Sequence, residues 1–358
     1  MRRRTLVLSV LLVLLLVYFA TWRVPIAPVS WEAPANPGYR GVFAPDSSLA
    51  SFETLSLGGH EGPESVARDA LGRLYVSTRD GTILRWGVEG VAPEAWANTG
   101  GRPLGLAFDS SGTLFVADGV RGLLAIDTAG TVRLLADSVD GTRIEFADDL
   151  DVAANGRVYF SDASTKFGLR AQSDMDASVL DLLEHGGHGR LLEWDPATGR
   201  ASVVVSGIEF ANGVAMAPDQ QAVLLCETGR YRILRVGVVG EARGLVTPVL
   251  EALPGFPDNI SRAANGTYWV ALFAPRNALV DRLSASPNLR KVLLRIPRAF
   301  QPKAAEYGHI IAIDGMGKVL DDRQDPSGKF PRMTDVLETE RYLYIGSLAG
   351  PVLARVPR

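Results

Sequence analysis

The chain is 358 residues long, with 37 Lys and Arg against 40 Asp and Glu, a formal charge of −3, 47% hydrophobic residues and a single cysteine. That balance excludes a disordered chain, a collagen-like repeat and a disulfide-stapled miniature domain. No basic block follows Arg2-Arg3-Arg4, so the electrostatic footprint that phosphate backbones require is missing and no nucleic acid partner is expected.

After those arginines come eighteen uncharged residues from Thr5 to Trp22, nearly all Leu, Val and aromatic between Leu6 and Ala20. As a helix this run would span roughly 27 Å, the depth of a bilayer hydrocarbon core. It ends in Tyr18-Phe19-Ala20-Thr21-Trp22 rather than in a small-x-small cleavage site, so an uncleaved membrane anchor over residues 1–22 is expected in place of a signal peptide. The arginines precede the span, which puts the N-terminus in the cytoplasm and the remainder on the periplasmic or extracytoplasmic side. Five prolines, Pro25, Pro28, Pro34, Pro37 and Pro45, predict an extended arm over residues 23–47. A globular region is expected over residues 48–358.

Within that region one phrase returns six times, a turn followed by an apolar-aromatic strand closing on a small residue. Its copies are Gly72–Ser77, Gly112–Ala117, Gly156–Ser161, Gln221–Cys226, Gly266–Ala271 and Arg341–Gly346, and their fourth residues are 40, 44, 65, 45 and 75 positions apart. The shorter steps match one four-stranded blade, and the two longer ones must carry insertions. Strands and hairpins repeated without helical crossovers favour radial repetition over a parallel α/β sheet. The expected fold is all-β, a six-bladed β-propeller preceded by one N-terminal transmembrane helix, with a pair of β-sandwiches as the alternative. Ring closure is expected between the strand near Phe52–Leu57 and Val352–Val356, because an open ring would leave a bare strand edge.

No Gly-x-Ser-x-Gly elbow, phosphate-binding loop or dinucleotide fingerprint is present. His60-Glu61-Gly62-Pro63-Glu64 begins like a zinc motif but carries Glu64 where the second histidine belongs. His185 and His188 flank loop glycines and read as solvated loop residues rather than ligands. Oxygen-bearing residues stand out instead, placed just ahead of the repeated strands. Glu64 lies eight residues before Gly72, Asp148-Asp149 eight and seven before Gly156, and Asp258-Asn259 eight and seven before Gly266, while Asn212 precedes the fourth copy. Such positions face the central channel of a propeller, so four blades aim a carboxylate or amide at one axial point. Hard oxygen donors without Cys or a convergent His set suit Ca²⁺. The bland alternative is a set of turn residues hydrogen-bonded to their own backbone.

The phrases Gly62-Pro63-Glu64-Ser65, Gly101-Arg102-Pro103-Leu104-Gly105-Leu106, Phe210-Ala211-Asn212-Gly213-Val214 and Pro254-Gly255-Phe256-Pro257-Asp258-Asn259-Ile260 resemble those of the strictosidine synthase-like propellers, in the branch of adipocyte plasma membrane-associated protein. The resemblance implies kinship with the calcium-dependent six-bladed propellers, among them gluconolactonases, paraoxonases and diisopropyl fluorophosphatase. Their ion is held by a Glu, two Asn and a late Asp-Asn or Asp, which carries over to Glu64, Asn212, Asp258 and Asn259. Asp148 stands where the family has its other Asn. Three carboxylates against one Ca²⁺ leave one net negative charge, which would hold the ion more tightly and weaken its pull on a substrate carbonyl. Leu104 stands where paraoxonases carry a histidine, so no histidine base is inherited. Phe330-Pro331-Arg332-Met333-Thr334 lacks the glutamate with which strictosidine synthases condense an amine and an aldehyde, which argues against that reaction. The expectation is therefore a membrane-anchored, calcium-dependent hydrolase of small-molecule esters or lactones, with Asp258 as general base or nucleophile. Its rival is a non-catalytic propeller that binds a ligand or protein over a structural calcium.

Overall fold

The computed structural model describes residues 2–87 and 92–358. Helix α1 (Arg2–Thr21) leads through the proline-rich arm to strand β1 (Glu53–Ser56). The first blade is β2 (Val66–Arg68), β3 (Leu74–Ser77), β4 (Thr82–Trp86) and β5 (Glu94–Asn98). The second is β6 (Pro103–Phe108), β7 (Leu114–Asp118), β8 (Gly122–Ile126) and β9 (Val132–Ala136). A small hairpin of β10 (Ser138–Val139) and β11 (Thr142–Arg143) precedes the third blade, which runs β12 (Ala147–Val152), β13 (Val158–Asp162), helix α2 (Asp174–Glu184), β14 (Gly189–Asp195) and β15 (Arg200–Ile208). The fourth is β16 (Ala211–Met216), β17 (Ala222–Glu227), β18 (Arg232–Gly237) and β19 (Val246–Leu250). The fifth is β20 (Gly255–Arg262), β21 (Tyr268–Pro275), helices α3 (Ala278–Arg282) and α4 (Pro287–Arg295), β22 (Gly308–Ile313) and β23 (Val319–Asp325). The sixth contains β24 (Met333–Glu338), β25 (Tyr342–Ser347) and β26 (Val352–Pro357).

Each blade is an antiparallel meander of four strands, and the sixth borrows β1 as its outer strand. β1 pairs with β26 from Glu53 opposite Arg355 to Ser56 opposite Val352, so the ring closes where the sequence places the closure. The recurring phrase is the second strand of every blade, and the two long steps hold α2 and the α3–α4 pair. The fourth copy starts one residue earlier than its spelling indicates. Gln220, at φ 57°, takes the left-handed turn position that Gly72, Gly112, Gly156 and Gly266 hold elsewhere.

Neighbouring blades enclose their own apolar cores, as a propeller requires when both faces of each sheet are covered. Phe115 and Ala125 meet Phe160 and Leu192 between the second and third blades. Leu224 and Ile233 meet Tyr268 and Ile311 between the fourth and fifth. A further core lies over one end of the axis, where Ile26 of the arm joins Phe146, Phe167, Leu183, Phe210 and Leu293.

The arm is extended, as its prolines demand, and it is tied down along its length. Ala27 N–H donates to Glu184 Oε2 at 2.7 Å and Val29 N–H to Glu184 O at 2.8 Å. Trp31 N–H donates to Ser284 O at 3.2 Å, and Arg276 donates to Pro34 O at 2.6 Å. The arm thus straps α2 and the α3–α4 insertion together over the ring. Here the reading of two solvated loop histidines needs correction. His185 is buried and stacks on Trp31 of the arm, ring centres 3.9 Å apart and planes 12° apart. His188 is partly exposed, with Nε2 2.7 Å from Glu184 Oε1.

The leucines and valines of α1 whose side chains are described, from Leu6 to Val17, are exposed. Among the described residues, which leave out the side chains of Leu16 and Ala20, no helix is long and apolar enough to cross a membrane.

Candidate functional site

The site is built by one local irregularity repeated around the ring. In five blades the pairing of the innermost strand with its neighbour slips at a β-bulge, between Pro103 and Leu106, Ala147 and Leu150, Ala211 and Val214, Pro257 and Ile260, and Met333 and Val336. A bulge sets two residues opposite one and re-aims their side chains. The first bulge residues are Leu104, Asp148, Asn212, Asp258 and Thr334; Glu64 takes the equivalent place just ahead of β2, where Glu64 N–H donates to Ser77 O at 3.2 Å. In five of the six blades this residue precedes the start of the second strand by ten positions. Glu64, Leu104, Asp148, Asn212 and Asp258 all line one cavity of about 260 Å³. Thr334 does not line it; its hydroxyl donates to Glu64 O at 2.7 Å.

The second bulge residues form a deeper layer that joins blade to blade. Asp149 Oδ2 accepts from Val214 N–H at 2.8 Å, and Asp335 Oδ2 accepts from Ser65 Oγ and Val66 N–H, each at 2.9 Å. Asp335 is therefore occupied by backbone and hydroxyl donors, and it is the first acid after the stretch where the condensing enzymes keep their glutamate. Asn259 belongs to this layer: it is buried, its amide N and O lack partners, and it does not line the cavity. Two glycines make the close approach of these layers possible. A Cβ on Gly213 would stand 2.5 Å from Ile260 N and 2.6 Å from Asp258 O, and one on Gly346 would stand 2.5 Å from Glu64 O.

Burial dominates the electrostatics of the floor. It pushes Glu64 up to about 8, with Arg102 pulling down and Asp174 and Asp335 pushing further up. Asp148 is raised well above the usual carboxylate range by burial and then by Glu64. Asp258 is raised by burial, then by Glu64 and Asp148, against a hydrogen bond from Asn212. Three acids out of water and close enough to raise one another define a place for a cation. The open oxygens fit one, since Glu64 Oε2, Asn212 Oδ1 and Asn259 Oδ1 are buried and accept no hydrogen bond. Among the described residues no three His, Cys, Asp or Glu side chains are gathered as a ready-made metal site; the donor set here mixes carboxylates with amides.

Arg102, within Gly101–Leu106, is a site residue that nothing in the sequence marks as one. Its buried guanidinium has Nη2 3.6 Å from Glu64 Oε2 and 3.2 Å from Asp174 Oδ2, and Nη1 donates to Pro103 O at 3.1 Å. Asp174 is the first residue of α2, whose N-terminus is capped by Ser173 accepting from Asp176 N–H. Arg102 therefore links the floor of the cavity to a helix of its roof. Above the floor the walls are largely apolar, with Phe146, Phe210, Phe256, Leu183 and Leu293 among them.

Fold and site together define a six-bladed propeller with an acidic, oxygen-lined pocket at one end of its axis. Family models for strictosidine synthase and for the N-terminal part of strictosidine synthase-like proteins match residues 148–241 and 41–86. Adipocyte plasma membrane-associated protein of Salmo salar is 32% identical over 371 residues, covering 96% of this chain and 86% of that protein. Strictosidine synthase-like protein 10 of Arabidopsis thaliana is 34% identical over 349 residues, covering 87% and 91%. The chain belongs to the strictosidine synthase-like family that includes these proteins. Among solved structures, a gluconolactonase from Xanthomonas campestris superposes with a TM-score of 0.63 at 18% identity, over 93% of this chain and 98% of that one. Regucalcin from Agrobacterium tumefaciens, described as calcium-binding, gives 0.59 at 15% identity over 86% and 93%. Both share the fold.

Proposed function

We propose that the protein is a membrane-anchored, calcium-dependent hydrolase of esters or lactones. The observation that carries this is the floor of the cavity, where Glu64, Asp148 and Asp258 are buried together and oxygens of Glu64 and Asn212 accept no hydrogen bond. Glu64, Asp148, Asn212, Asp258 and, one layer deeper, Asn259 would hold Ca²⁺. Bound there, the ion would polarise a carbonyl. The remaining work belongs to the chain. The apolar walls seat the acyl or aryl part of the substrate and exclude water. Asp258, whose proton affinity is raised by burial and by its acidic neighbours, takes the proton of the attacking water or adds to the carbonyl itself. The hydrogen bond from Asn212 holds its carboxylate in place. Leu104 gives the ring position of the second blade to hydrocarbon, so proton transfer falls to the carboxylates.

The fold shared with a gluconolactonase supports lactone chemistry, and relatives named for plasma-membrane association support the anchor. The described leucines and valines of α1 are turned to the outside, a surface that has no stable place in water; this supports α1 as that anchor, with the N-terminus cytoplasmic. A panel of phenyl esters and lactones assayed with and without chelator tests the proposal. Hydrolysis that disappears with chelator and returns with Ca²⁺ is expected. Hydrolysis of none of them by the calcium-loaded protein would leave a binding propeller, and chelator-insensitive hydrolysis would remove the metal.

A further inference from the structure

Two cavities meet above the ring. The acidic one is roofed by α2, α4 and the segment 301–305, with Met175, Val179, Leu182 and Leu294 among its upper walls. The second, of about 880 Å³, lies between the foot of α1 and the same two helices, and Tyr18, Trp22, Arg23 and Arg295 line it. Val179, Leu294 and Gln301 belong to both. The foot of α1 is fixed there, because Tyr18 Oη donates to Arg295 O at 2.9 Å, and Arg295 donates to Trp22 O at 2.7 Å and to Phe19 O at 2.6 Å. A cation on the last carbonyls of a helix caps it and satisfies its dipole. Around this junction large apolar side chains lie open to the outside, Trp22, Leu289 at 50% and Phe300 at 78% exposed. Arg23, Arg170, Arg295 and Arg298 line the second cavity beside Asp176, which pairs with Arg298 at 2.6 Å, while Arg170 pairs with Glu145 at 2.9 Å; the excess of positive charge is what anionic headgroups attract.

We propose that the acidic cavity is filled from the lipid bilayer through this second cavity, so that its substrate is a neutral, lipophilic ester or lactone dissolved in the membrane. The proposal rests on the anchor and on the ester chemistry proposed above. Three properties of the chain select the substrate. At the foot of α1 the second cavity adjoins the acidic one across Val179, Leu294 and Gln301, two of them hydrocarbon. The walls beyond are mainly aromatic and aliphatic, with Ser178, Thr228, Asn277 and Lys303 among the polar exceptions, so most hydroxyls of a sugar lactone would lie against hydrocarbon. The floor carries three acids, which repel an anionic substrate.

The test uses the full chain in vesicles of phosphatidylcholine and phosphatidylglycerol. Nitroxide labels are placed singly at Leu289→Cys and Phe300→Cys, and at Leu71→Cys and Met316→Cys in turns on the opposite face; Cys226 is fully buried. Labels at 289 and 300 should collide with oxygen in the lipid phase and be shielded from a water-soluble nickel chelate, with the reverse at 71 and 316. Labels at 289 and 300 as open to the chelate as those at 71 and 316 would overturn the proposal. In a second arm, Gln301→Trp narrows the shared wall. The ratio of turnover of a long-chain phenyl ester carried in the vesicles to that of water-borne phenyl acetate should fall about tenfold, equivalent to about 1.4 kcal/mol in the barrier; an unchanged ratio overturns the passage. Should the unaltered chain hydrolyse neither ester, the hydrolase assignment fails and the labels alone decide whether the mouth faces lipid.

Discussion

Asp148 and Asp149 are neighbours in one bulge with different work. Asp149 accepts from Val214 N–H and so ties the third blade to the fourth, while Asp148 lines the cavity. Asp149→Ala should therefore lower stability by about 1–3 kcal/mol, the usual cost of leaving a buried donor unpaired, with calcium affinity nearly unchanged; chemical denaturation and calorimetric titration measure the two separately. Asp148→Asn keeps an oxygen donor and removes a carboxylate that burial and Glu64 oppose. Its melting temperature in chelator should hold or rise, its calcium requirement should shift upward, and turnover at saturating calcium should persist. Asp258→Asn should abolish turnover even where calcium still binds. Activity lost in Asp148→Asn and kept in Asp258→Asn would exchange the two roles. The spacing of the acids ahead of the repeated strands was legible because the same interval separates this ring residue from its second strand in five of the six blades. Leu104 and Thr334 share the ring yet carry no acid or amide to draw the eye. Arg102 is not legible in the sequence, because its partner Asp174 lies 72 positions away, a distance that only the fold removes.

At the scale of elements, the bulges and the roof helix are coupled through close contacts. Gly213→Ala would force a methyl against the backbone of β20, and the strand carrying Asp258 and Asn259 would have to retreat. Overpacking of this kind costs about 1–3 kcal/mol, and the displaced donors should weaken calcium binding as well. A Gly213→Ala variant with unaltered affinity and denaturation midpoint would show that the two inner strands have slack. Arg102 supplies the positive charge between Glu64 and the first residue of α2. In Arg102→Gln both acids lose it, an event that costs about 3–5 kcal/mol in buried ion pairs, and α2 loses its tie to the floor. Hydrogen exchange over residues 174–184 should accelerate more than in the outer strands. The long steps between repeats announced the insertions, but the helices inside them did not show in the sequence. α2 has 11 residues and α4 has 9, too short for periodicity to stand out against strands, and their order depends on packing over the ring.

The whole molecule is held by two closures, and only one was legible. Pairing of β1 with β26 follows from a recurring strand pattern that lacked a partner at one end. The strap does not, since prolines and alternating small residues dictate extended backbone and say nothing about where it lies. Its clearest contact is Trp31 stacked on His185 at the end of α2, and that contact makes the closure sensitive to acid. Burial first, and then Arg230 and Arg290, lower the affinity of His185 for a proton until it titrates at about 3 instead of 6.5; Glu209 stands 3.9 Å away, too far to offset them. A histidine held neutral by folding contributes stability that is fully present above pH 6.5 and is lost as pH falls from 6.5 toward 3, because the unfolded chain takes up the proton first. Burial also raises Asp181 to about 7 and Asp162 to about 6, and those acids act in the opposite sense over part of the same range. The comparison must therefore be made against His185→Phe, which keeps a flat ring on Trp31 and leaves both acids in place. Below pH 6.5 the unaltered chain should lose stability relative to that variant at up to about 1.4 kcal/mol per pH unit. Denaturation midpoints that run parallel from pH 7 to pH 5 would show that His185 carries its proton in the folded chain and that the strap is indifferent to acid.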